Sequence, residues 1–185
     1  MFICGALLNG RTAKGNDLIL VARLLRSGME IKIREAALAD AQVIAAYNLR
    51  LAEESEGLRL AEAVVHAGVA ALLKDPAKGI YYVAEVEGSV VGQVMITYEW
   101  SDWRNGNMWW IQSVYVKPEF RRAGVFRALF NHLRTLAQTR KDVCNLRLYM
   151  HAENTRARQS YERLGMTRTH YEIFELDVRK DGERR

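Results

Sequence analysis

Between Gln112 and Arg127 the chain reads Gln-Ser-Val-Tyr-Val-Lys-Pro-Glu-Phe-Arg-Arg-Ala-Gly-Val-Phe-Arg, an apolar run that enters a basic turn and leaves it as a helical stripe. These residue types at this spacing suit the holding of a pyrophosphate. The first turn of a helix exposes N–H groups and the positive end of its dipole, and Gly124 removes the side chain that would keep an anion away. Arg121, Arg122 and Arg127 put charge where such a ligand is most negative, although cations at a helix start are otherwise unfavourable. A solvated strand-to-helix connection is the plainer alternative. The segment is not a P-loop, because no Gly-Lys-Ser/Thr follows. A single glycine after an antiparallel strand is not a dinucleotide fingerprint either.

A second concentration lies just upstream. Trp100, Trp103, Trp109 and Trp110 fall close together beside Glu99 and Asp102. Aromatic faces next to carboxylates suit a cationic amine. The same side chains could instead pack a hairpin or line a dimer interface.

Hydrophobic periods define the elements that must position these groups. Ile31 and Ile33 alternate with Lys32 and Arg34 as a short strand. Asp40 is a suitable N-cap for a helix carrying Val43, Ala46, Tyr47 and Leu51 at helical spacing. A second helix is expected over 59–73, stopped by Asp75-Pro76. The β-rich runs 80–86 and 90–100, joined by Glu87-Gly88-Ser89, predict a hairpin, and 108–116 extends it into an antiparallel meander. Then follow a helix over 122–138, a strand over 145–150, a helix over 156–164 closed by Gly165, and a closing strand over 169–178. The order β-α-α-β-β-β-α-β-α-β defines an α/β chain built on a mixed, mostly antiparallel sheet.

The 185 residues are 49% hydrophobic and 26% charged, enough for one domain with a sizeable core. The net charge of +5 invites a nucleic-acid partner. Residues 1–28 and 179–185 hold that whole excess, and the 150 residues between them balance at 19 charges of each sign. No nucleic-acid partner is therefore expected. Cys4 and Cys144 do not make a disulfide framework, so a reducing cytoplasm is the expected compartment. The apolar stretch 2–8 lacks a basic flank and is too short for a signal peptide or a membrane span, and no membrane association is expected. Residues 1–28 differ in texture from the strand that opens after Met29. They are either an extra element or upstream codons read from an early start. The expected organisation is an N-terminal extension over 1–28, a catalytic domain over 29–178 and a basic tail over 179–185.

The turn and a block downstream together resemble the GNAT superfamily of acyl-CoA-dependent N-acetyltransferases. Its Gln/Arg-x-x-Gly-x-Gly/Ala motif is matched by Arg121 and Gly124, with Phe126 standing where glycine or alanine is usual. Asn154-Thr155-Arg156-Ala157-Arg158-Gln159-Ser160-Tyr161-Glu162-Arg163-Leu164-Gly165-Met166 is similar to the family's Asn-x-x-Ala-x-x-x-Tyr-x-x-x-Gly-Phe block. The resemblance covers about residues 30–178.

What the resemblance implies is specific. A bulge in the strand before the motif splays the sheet, and the pantetheine arm pairs there with the main chain of Ser113, Val114, Tyr115 and Val116. Arg121, Arg122, Ala123, Gly124, Val125, Phe126 and Arg127 cradle the pyrophosphate of acetyl-CoA, the co-substrate, and no metal takes part. Tyr161 is placed to protonate the departing thiolate, or else closes its helix against the sheet. Asn154 holds the pantetheine or a water, or else caps that helix. The implied reaction is direct attack by the primary amine of a small molecule in a ternary complex. A protein or peptide acceptor, or a catalytically silent acyl-CoA-binding regulator, is the alternative. Acceptor contacts are expected from Glu53, Glu54, Trp100, Asp102 and Trp103, and the protein is expected to form a homodimer. An alkyl amine is about a thousandfold underpopulated as its free base at pH 7. Many relatives place a glutamate where this chain has Gln112. The proton then leaves along a water chain ending at Glu53, Glu54, Glu99 or Asp102, or the amine arrives neutral.

Overall fold

The computed structural model describes residues 29–178, so the N-terminal extension and the basic tail lie outside the described residues. The elements are β1 (Lys32–Glu35), α1 (Ala41–Glu56), α2 (Glu62–Leu73), β2 (Ile80–Val86), β3 (Ser89–Ser101), β4 (Gly106–Val116), α3 (Val125–Thr139), β5 (Val143–Arg147) and α4 (Thr155–Arg163). They form one five-stranded sheet in the order β1-β2-β3-β4-β5. The first four strands are antiparallel neighbours, and β5 runs parallel to β4.

Alternation along the strands divides the core in two. Ala84, Ile96, Trp109 and Ile111 face α3 and α4, whose Val125, Leu129, Leu133, Ala157 and Tyr161 are buried against them. Tyr81 and Val83 face the other way, onto Ile44 and Ala45 of α1 and Val69 of α2. The sheet is therefore the middle of three layers. Truncating the fully buried Leu129 to alanine would cost about 2–5 kcal/mol, from lost transfer energy and the cavity left behind.

β1 is tied to the start of α1 by charge. The Arg34 guanidinium forks onto Asp40 at 2.7 and 2.9 Å and also reaches Glu85 of β2. Asp40 is the residue before α1, as its type suggests, but its carboxylate does not cap that helix. It accepts instead from the Ala37 N–H at 2.8 Å and from Arg34.

Three expectations are corrected. The helix after the basic turn begins at Val125 rather than Arg122, because Arg122 (φ 69°) and Gly124 (φ 88°) are left-handed and cannot be helical. The strand expected over 145–150 is shifted to Val143–Arg147. No closing strand forms over 169–178. That segment has the right alternation, but alternation specifies a face and not a hydrogen-bonding partner, and Tyr171, Phe174 and Leu176 stand exposed.

Candidate active site

The register between β3 and β4 breaks at one place. Gln93 pairs with Tyr115 and Met95 with Gln112, so Ser113 and Val114 together oppose Val94. This is a β-bulge. Ser113 adopts φ 48°, an uncommon conformation for a non-glycine residue, and is almost fully buried. A neutral polar group beneath it fixes the distortion. Gln93 Nε2 donates to the Ser113 carbonyl at 3.2 Å and to Asn48 Oδ1 at 2.7 Å, while Asn48 Nδ2 donates to the Tyr81 hydroxyl at 2.9 Å. Burial pushes the Tyr81 phenol above its ordinary pKa. The sheet is already open where the bulge lies, because β5 pairs with β4 only from Asn107 to Trp110. The main chain of Ser113, Val114, Tyr115 and Val116 thus borders a gap in which an extended ligand can complete the missing ladder.

The basic turn lies at the end of that gap. A Cβ added to Gly124 would meet no atom within 4 Å, so the glycine serves its left-handed backbone and the space beside it is open. Among the described residues the N–H groups of Val125, Phe126 and Arg127 find no backbone acceptor, as expected for a first helical turn. Gly92 has a different task. A Cβ there would lie 3.0 Å from Val125 Cγ1 and 3.1 Å from the Tyr115 carbonyl, so the glycine lets the start of α3 sit against β3.

The arginines divide their work. Arg121 turns inward: its Nε donates to the Val116 carbonyl at 2.9 Å, its Nη2 reaches Glu54 Oε2 at 2.6 Å, and it covers the Tyr115 ring. The Tyr115 hydroxyl also donates to Glu54, at 3.2 Å. Arg121 and Glu54 therefore stitch the turn to α1. Arg122 and Arg127 are exposed on either side of Ala123 and Gly124.

On α4, Asn154 Oδ1 accepts the Ala157 N–H at 3.0 Å and caps the helix. Tyr161 is buried, and its ring meets that of Phe126 edge-on with centroids 5.7 Å apart. The bulky residue at the unusual motif position thus packs against the tyrosine expected to protonate sulfur.

The opposite face of the sheet, toward α1, gathers Thr97, Glu99, Trp110, Gln112, Arg147 and Tyr149. Gln112 Nε2 donates to Thr97 Oγ1 at 2.5 Å, and its Oε1 accepts from the Tyr149 hydroxyl at 3.2 Å. Trp110 Nε1 donates to Glu99 at 2.5 Å, and Arg147 pairs with the same carboxylate at 3.3 Å. Arg147 and Tyr149 were missed in the sequence. Their signal was the alternation of polar residues with Leu146 and Leu148, which pack on the α3 side.

Other expected acceptor residues are not assembled here. Glu53 is exposed on α1. Trp100 alternates with Glu99 and so faces the other way. Asp102 and the largely exposed Trp103 form the β3–β4 hairpin tip, where Asp102 accepts the Trp103 N–H. Seven strand residues, about 23 Å, separate that tip from the bulge. Among the described residues no group of three or more His, Cys, Asp or Glu could hold a metal ion, and no helix is long and apolar enough to cross a membrane.

A bulged and splayed strand, a glycine-led helix start and a buried tyrosine beside it together define the class: an acyl-CoA-dependent acyltransferase fold. Comparison with known proteins agrees. The model of the acetyltransferase (GNAT) family matches residues 41–166, and the chain belongs to that family. It is similar to a possible acetyltransferase from Clostridium difficile 630, with 47% identity, TM-score 0.78, and coverage of 81% of this chain and 99% of that one. A predicted acetyltransferase from Clostridium acetobutylicum, solved with acetyl-CoA, shares the fold at 17% identity and TM-score 0.65, covering 80% of this chain and 97% of that one. The aminoglycoside N-acetyltransferase AAC(6')-Iy, solved with CoA, does so at 16% identity and TM-score 0.66, covering 83% and 98%. No curated protein sequence matches the chain.

Proposed function

We propose that residues 29–178 form an N-acetyltransferase domain that moves the acetyl group of acetyl-CoA onto a primary amine of a small molecule. The observation that carries this reading is the bulge at Ser113 and Val114, which opens a strand edge leading to the start of α3 at Gly124. The gap suits a pantetheine arm, and the N–H groups of Val125, Phe126 and Arg127, with the exposed Arg122 and Arg127, suit a pyrophosphate. Arg121 contributes by holding the turn rather than by touching phosphate.

In this reading the amine approaches across the face bearing Gln112 and attacks the thioester carbonyl directly. The C–N bond forms as the C–S bond breaks, Tyr161 gives its hydroxyl proton to the sulfur, and the proton released from the nitrogen passes through water to restore the phenol. Asn154, by capping α4, sets the depth of Tyr161. Gln112 orients groups but takes no proton, so the acceptor reaches the carbonyl as a free amine that has lost its proton to water. This glutamine also favours a second reading, acyl-CoA binding without turnover. Thiol release from acetyl-CoA, measured against a panel of amines and lysine peptides, separates the two. Amine-dependent release supports the enzyme, and binding with no release supports the silent protein.

A further inference from the structure

Arg147 stands on the acceptor face, level with Trp110 in the β4–β5 register. Its guanidinium carbon lies 5.8 Å from the centre of the Trp110 ring, and its Nη1 reaches Glu99. Among the described residues Glu99 is the only hydrogen-bonding partner of this side chain, so Nε and Nη2 meet no acceptor. The pair is open to solvent, with 25% of the Arg147 and 41% of the Glu99 side chain exposed. A half-exposed pair of this length adds little to stability. It is nevertheless oriented, because Trp110 lies against the guanidinium and holds Glu99 through its indole N–H.

A fixed guanidinium fork beside a fixed carboxylate is the complement of a zwitterion. Resting on the acetyltransferase reading, we infer that Arg147 and Glu99 bind the α-amino acid group of the acceptor, Arg147 taking its carboxylate and Glu99 its ammonium, with a second amine delivered to the bulge. The strand supplies the ruler. Gln112, two residues beyond Trp110 on β4, lies next to the bulge and accepts from Tyr149 where β4 and β5 part. Two strand residues span about 6.6 Å. That is the reach of roughly four methylene groups at standard bond lengths, as in lysine, with ornithine one methylene shorter. The methylenes would cross the Trp110 face. No atom of the reaction changes: the distal nitrogen is acetylated and CoA leaves as the thiol.

The test compares matched acceptors, lysine against cadaverine and ornithine against putrescine, in initial-rate assays of the full chain. The expected result is a higher kcat/KM for each amino acid than for its decarboxylated partner. In Arg147→Met that preference falls by about 10- to 100-fold, the worth of a charge-assisted fork. Arg147→Lys keeps the charge without the fork and retains part of it, which covers the case in which the methionine variant does not fold. Glu99→Gln lowers the preference by a smaller factor. Equal rates on each pair, or a preference that Arg147→Met and Arg147→Lys leave untouched, overturns the inference. If other amines, benzylamine among them, are acetylated while these four are not, the acceptor assignment falls and the acetyltransferase reading stands. If no amine is acetylated, both fall.

Discussion

The Tyr149 hydroxyl donates to Gln112 Oε1 at 3.2 Å, across the place where β4 and β5 part. One bond thus links the two arms of the splayed sheet at the point nearest the bulge, through an amide that cannot act as a base. The acceptor must then supply its own free-base fraction. The expected outcome is a kcat/KM that rises with pH in proportion to the neutral amine, from pH 6 toward the amine's own pKa near 10. A plateau beginning near pH 7 would point to a protein base. Gln112→Glu places a carboxylate there and should bring such a plateau into the profile. Rates measured across pH for both forms decide it.

Tyr161→Phe removes the proton donor while keeping the ring that packs on Phe126. It should lower kcat by about 10²-fold or more, as loss of a general acid does. Affinity for acetyl-CoA, read by calorimetry, should change little. An unchanged kcat would take Tyr161 out of the mechanism and leave it a core residue.

Gly124→Ala separates backbone from space. The added methyl meets nothing, so any loss comes from φ 88° alone. The variant should lose about 1–2 kcal/mol of stability. Its KM for acetyl-CoA should rise as the turn relaxes, with a smaller effect on the acceptor. Thermal melts with and without acetyl-CoA test this, because a ligand that binds only the native form raises the midpoint.

Asp40 makes the fold acid-sensitive. The Arg34 guanidinium hydrogen-bonds its carboxylate and holds its pKa below the ordinary range. A carboxylate depressed in the native state stabilises fully above its unfolded pKa, about 3.9, and the contribution fades as pH falls through the lower native value. Asp40→Asn should therefore cost about 1–3 kcal/mol at pH 7 and much less near pH 2. Parallel Tm curves for the two proteins would contradict this account.

Much of this arrangement is readable in the chain. The periods of β2, β3, β4 and α3 place those elements to within a few residues, and the Arg121 to Phe126 turn with the Asn154 to Met166 block marks the family. Tertiary contacts decide the rest. Arg121 looks like a phosphate ligand by type and spacing, and it is Glu54, 67 residues away in the chain, that draws it inward. The tryptophan cluster is compact in sequence but is divided by strand alternation, so Trp110 joins the face that bears Gln112 and Arg147 while Trp100 and Trp103 do not. Arg147 and Tyr149 enter the site only because β5 runs parallel beside β4, a pairing that no local pattern announces.

Acetyl transfer is tested most directly by the release of free thiol from acetyl-CoA by the 185-residue chain, recorded with and without amine and matched to the acetylated product by mass. The expected result is amine-dependent release, one thiol for each N-acetyl group formed, strongly reduced in Tyr161→Phe. Acetyl-CoA that binds tightly, with no thiol released by any amine or peptide, would contradict it.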